Sequence, residues 1–160
     1  MSKNLLIQGL LILLSSTGFA QVYTLPNLPF EFAAYEPAVD AQTMQIHHDK
    51  HHAAYVTNLN KAITGTAMEK ISMNDLLMYA SFRSATVRNN AGGHYNHSLF
   101  WDILAPKASQ RPISKELQLA IESKYTSIDS LIATVNKAAS TRFGSGWAWL
   151  VVTPQGELAV

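Results

Sequence analysis

The apolar and polar positions of the chain change their rhythm several times, and each change predicts a different element. Leu5 to Leu14 is an almost unbroken apolar run. "YTLPNLPFEFAAYEPAV" then carries three prolines and no sustained period, which predicts an extended, turn-rich arm. From Ala41 to about Thr64, Met44, His47, His48, His51, Tyr55 and Leu59 recur at three and four residues, the spacing of a helix. A second helix is predicted from Met73, capped by Ser72 or Asn74, through Phe82 to about Leu99. Gly92 and Gly93 are a defect in it. Each glycine costs about 1 kcal/mol relative to alanine inside a helix, so the pair implies a packing or functional reason.

"LAPKASQRPIS" breaks the rhythm with two prolines and marks a boundary. Helix returns at Ser114 and runs toward Phe143, with Leu117, Ala120, Ile121, Ile128 and Ile132 as spaced apolar positions. "GWAWLVVTPQGELAV" changes to tryptophan and valine around a turn, predicting a hairpin of Gly146 to Thr153 and Glu157 to Val160. A two-stranded hairpin is marginal alone, so a sheet ending at Val160 reads as unfinished.

Composition narrows the classes. At 160 residues and 48% hydrophobic the chain is globular. Lys3, the apolar run and the small residues through Ala20 follow the order of a secretory signal peptide, and the run is too short to cross a bilayer. Residues 1–20 are therefore set apart from the fold, with a membrane anchor or a buried first helix as the other readings, and the product is expected to be periplasmic or secreted. Without Lys3 the chain has eleven basic and eleven acidic residues, so no basic field gathers nucleic acid or an anionic membrane. Cysteine is absent, which excludes thiolate nucleophiles, zinc–thiolate sites and iron–sulfur clusters.

The candidate chemistry is histidine. Four of the six histidines fall in "IHHDKHH". On a helix His47, His51 and Tyr55 share one stripe, and His48 and His52 the next. A pair at i, i+4 can reach one metal ion, but a pH-sensitive or merely solvated helix fits the spacing too. His97 and Trp101 repeat the interval on the second helix, where aromatic walls would fix an imidazole. His94 lies off that stripe and is expected at the helix surface. "NHS" at Asn96 matches a glycosylation acceptor, which the apolar helix around it disfavours.

"YTLPNLPF", "DAQTMQIHHDKHHAAYVTNLNKAI", "NNAGGHYNHSLFW" and "RFGSGWAWLVV" together resemble the iron and manganese superoxide dismutases, in order and spacing, over residues 22–160. The resemblance implies an α+β fold. An N-terminal antiparallel helical hairpin (21–106) is followed by a C-terminal α/β layer with a small antiparallel sheet (107–160). It implies metal ligands at His47 and His97, His51 behind them near substrate entry, Tyr55 over the open coordination position, and Trp101, Trp147 and Trp149 as pocket walls. His48 and His52 are left with packing or surface roles.

The implied activity is disproportionation of superoxide to dioxygen and hydrogen peroxide, in a homodimer or homotetramer, with Tyr55 in a proton relay. Gly93 stands where iron-type members commonly carry glutamine, so the pattern resembles the manganese type, with iron as the other metal. Members of the family also supply an aspartate and a third histidine from a segment that does not occur before Val160, so the 160-residue chain is expected to be an inactive fragment. A histidine-rich helical module that binds divalent metal or a partner without catalysis is the competing reading.

Overall fold

The computed structural model describes residues 22–144 and 146–160, so the expected signal segment lies outside the described residues. Residues 22–40 form the arm, with one 3₁₀ turn at Phe32–Tyr35. Tyr23 pins it down: its N–H donates to Asn60 Oδ1 at 3.0 Å, Asn60 Nδ2 donates back to the Tyr23 carbonyl at 2.7 Å, and the Tyr23 hydroxyl donates to the Ile71 carbonyl at 2.8 Å.

The first helix is one rod in three parts: α1 (Ala41–Ile46), a π turn over His47–His52, and α2 (Ala53–Ile63). Asp40 starts it by accepting from the Thr43 N–H. The π turn is shown by the Ala53 N–H reaching the His48 carbonyl. Such wide turns cluster at functional sites, and this one carries all four clustered histidines.

The second helix is not continuous. It divides into α3 (Met73–Met78), a 3₁₀ turn at Ala80–Phe82 and α4 (Ala85–Ile103). Arg83 is extended, and Ser84 opens α4 by accepting from the Val87 N–H, so a cap at Ser84 competes successfully with the apolar period through Phe82. The rod and α4 run antiparallel: His47 meets His97, His52 meets His94, and Tyr55 meets Gly93. Between α2, α3 and α4 lie Leu59, Ile63, Leu76, Val87 and Ala91. Fully burying a side chain such as Leu59 or Ile63 contributes roughly 1.5–3 kcal/mol.

After the proline-containing connection, the predicted single helix is two: α5 (Lys115–Tyr125), with Ser114 as its cap, and α6 (Ile128–Ser140). Thr126, at φ 68°, turns the chain, and Ser127 caps α6 through the Ser130 N–H. The hairpin is present but shorter than predicted, β1 (Val151–Val152) antiparallel to β2 (Leu158–Ala159), with Val151 opposite Ala159 and Val152 opposite Leu158. Leu158 packs with Ile121 and Leu131, a small second core. The architecture is thus α+β and mostly helical, a helical hairpin followed by helices and a two-stranded sheet. No helix among the described residues is long and apolar enough to cross a membrane.

Candidate metal centre

The rod and α4 bring His47 and His97 together across the hairpin, with their Nε2 atoms 3.1 Å apart. His97 Nδ1–H donates to the Gly93 carbonyl at 2.7 Å, which leaves Nε2 as the lone-pair nitrogen facing His47. Burial, then the neighbouring His97 and His51, push the His47 pKa down to about 4; burial also lowers that of His97, where the Gly93 hydrogen bond works in the opposite direction. Both rings are held neutral, the form that ligates a metal.

This pair forms the floor of a cavity of about 860 Å³. Tyr55 and Trp147 wall it, their rings 5.3 and 5.0 Å from His97, and Trp149 lines it while stacking on Tyr95 at 6.3 Å. Trp101 is buried beneath, edge-on to His47 at 5.0 Å. His51 is exposed at the rim, 5.2 Å from both Tyr55 and His97. Every site residue expected from the sequence therefore gathers around one cavity.

Gly93 explains the glycine pair. A Cβ built there would meet three carbons of the Tyr55 ring within 2.6 Å, so a side chain at Gly93 would displace Tyr55. Gly92 faces open space and carries no such demand.

One expectation about the other histidines needs correction. His94 is not at the surface: it is buried, with Nδ1 2.7 Å from His52 Nε2 and its ring edge-on to Tyr23. Of the packing and surface roles expected of His52 and His48, both take packing: His52 is wholly buried and accepts from Trp101 Nε1–H at 3.0 Å. His48 is buried too, its ring nitrogens 2.7 Å from Asp49 Oδ1 and from the Pro26 carbonyl, which ties the π turn to the arm. Stripe counting fails for His94 because its side of α4 is covered by the rod, through His52, and by the arm, through Tyr23.

The cavity also takes in Arg88, Asn89, Asn96, Phe100 and Arg142, none of which the sequence reading placed there. For the four on α4 the signal is the helical period itself, since Arg88, Asn89, Gly92, Gly93, Asn96, His97 and Phe100 form one face of that helix, whereas Arg142, beyond α6, has no such signal.

The donor chemistry fits a first-row metal in part. Two imidazole nitrogens each about 2.1 Å from one ion, at adjacent positions, stand about 3 Å apart, which is the separation His47 and His97 show. Among the described residues no group of three or more His, Asp or Glu converges on such a point.

The family described as iron/manganese superoxide dismutases, alpha-hairpin domain, matches residues 22–105, and the iron/manganese superoxide dismutase C-terminal domain matches residues 113–160. An iron superoxide dismutase of Raoultella planticola is 48% identical over 134 residues, 81% of this chain and 78% of the relative. A manganese/iron superoxide dismutase of Methylomonas sp. (strain J) and a manganese superoxide dismutase of Pseudomonas aeruginosa are each 46% identical over 142 residues, 86% of this chain and 70% of theirs. The chain belongs to the iron/manganese superoxide dismutase family.

Proposed function

We propose that the protein is a superoxide dismutase whose metal is held by His47 and His97. The observation that carries this is the pair of neutral imidazoles 3.1 Å apart on the floor of an aromatic cavity. Manganese is the metal proposed, because the family resemblance places Gly93 where iron-type members commonly carry glutamine. The relatives are iron, manganese/iron and manganese enzymes, so iron is the other metal of the reading. The ion, when bound, supplies one-electron redox chemistry, accepting an electron from one superoxide and returning it to a second.

The chain's own groups do the rest. The Gly93 carbonyl holds His97 with Nε2 toward the cavity. Trp101, Trp147 and Phe100 keep the floor apolar, which strengthens electrostatic interactions there. Arg88 and Arg142 line the cavity and favour entry of an anion. Tyr55, with a hydroxyl that donates and accepts, suits delivery of a proton to the peroxide product, and His51 beside it at the rim connects it to solvent.

Two imidazoles are half of the protein ligands implied by the family resemblance. Residues 1–160 alone are proposed to hold metal loosely, with turnover requiring an aspartate and a third histidine from further sequence. The working protein is proposed to be an exported homodimer or homotetramer beginning near Gln21.

Metal analysis of variants tests the ligand assignment. His47→Ala and His97→Ala abolish stoichiometric manganese retention in the extended protein. His48→Ala keeps the metal and costs about 1–3 kcal/mol of stability through its lost buried hydrogen bonds. Equal metal loss in all three would overturn the assignment.

A further inference from the structure

We propose that His52 and His94 are positioning residues: with Trp101 they form a buried hydrogen-bonded chain of fixed direction that holds the Trp101 indole against His47 and backs the ring of His97. The effect on metal rests on the reading of His47 and His97 given above; the hydrogen-bond chain stands on geometry alone. An indole N–H only donates. At 3.0 Å it donates to His52 Nδ1, so that nitrogen presents a lone pair and the ring proton sits on Nε2. From there His52 donates to His94 Nδ1 at 2.7 Å, so a neutral His94 carries its proton on Nε2. Ser98 Oγ lies 3.5 Å from that same Nδ1, too far to rival His52 for it. Each ring thus has one tautomer, and reversing it would set two N–H groups against each other.

The chain reaches both proposed ligands. His52 stacks on His97, with ring centroids 5.2 Å apart and planes 20° from parallel. Trp101, whose N–H is spent on His52, stands edge-on to His47 at 5.0 Å. His52 and Trp101 are 0% and 1% exposed, so neither ring has water as an alternative partner. Neither His52 nor His94 lines the cavity, so neither meets substrate. Groups that hold metal-ligating histidines commonly change metal affinity by about 10–100-fold when removed.

The test separates positioning from simple packing. His52→Leu removes acceptor and donor, His52→Gln restores both kinds of group, and His94→Leu removes only the far acceptor without touching Trp101. In the full chain stripped of metal, the Trp101 indole N–H is followed by NMR, assigned with Trp101→Phe. The expected result is a shifted resonance with about tenfold less exchange protection in His52→Leu, a smaller change of the same sign in His94→Leu, and recovery in His52→Gln. Manganese affinity, measured by chelator competition on the same chains, follows the same order. An unmoved Trp101 resonance in folded His94→Leu, or His52→Gln as damaged as His52→Leu, overturns the proposal. If the wild-type chain extended by the family's aspartate and third histidine takes up no manganese while the resonance responds as expected, the ligand reading fails and the positioning chain stands.

Discussion

The ring of Tyr55 occupies the space that a side chain on Gly93 would need, so the rod and α4 approach each other closely beside the proposed metal ligands. Gly93→Ala therefore forces the Tyr55 ring aside and costs roughly 1–3 kcal/mol, in the range of overpacked cores. Gly92→Ala, one residue away and facing open space, gains up to about 1 kcal/mol from helix propensity. Urea midpoints of the two variants check this, and the opposite signs are the expected outcome.

Tyr55→Phe keeps the ring against Gly93 and removes only the hydroxyl. In the extended, metal-loaded protein it leaves metal content and stability nearly unchanged and slows the proton-limited part of turnover by about tenfold or more. Superoxide decay followed across pH measures it. Identical rates for the variant and wild type would remove Tyr55 from the proton path.

Stability of the metal-stripped chain depends on pH through its buried histidines. Burial holds His47 at about 4; burial, with His94 next, holds His52 at about 3; both lie below the ordinary value of 6.5. Below pH 6.5 the unfolded chain takes up protons that these folded rings refuse. The unfolding free energy is therefore flat with respect to these groups above about pH 7, and falls as the pH drops from 6.5 toward 3. Melting temperatures measured from pH 8 to pH 4 should decline toward acid, and His52→Gln should flatten the decline.

Much of this architecture was legible from local pattern. The helical period around His47 to Leu59, the caps at Ser72 and Ser114, and the TPQGE turn each act within a few residues, and each appears where predicted. What sequence spacing could not supply was the identity of neighbours across the hairpin. Lying off the His97 stripe, His94 reads as a surface residue of its own helix, whereas the partner that buries it, His52, lies 42 residues away. The same holds for the break at Arg83, where a serine cap prevailed over an apolar period, and for Thr126, whose positive φ divides one predicted helix into two. The π turn at His47–His52 has no period of its own to announce it.

Superoxide decay with metal-loaded protein shows whether His47 and His97 hold the metal at which superoxide disproportionates. Three chains are compared after dialysis against chelator: residues 1–160, the same residues extended by a family-like C-terminal segment carrying the aspartate and third histidine, and the extended chain with His97→Ala. Decay in proportion to bound metal is expected for the extended chain, and none beyond that of free ion for the other two. Activity that survives His97→Ala, or an extended chain that binds metal stoichiometrically without consuming superoxide, would contradict that assignment.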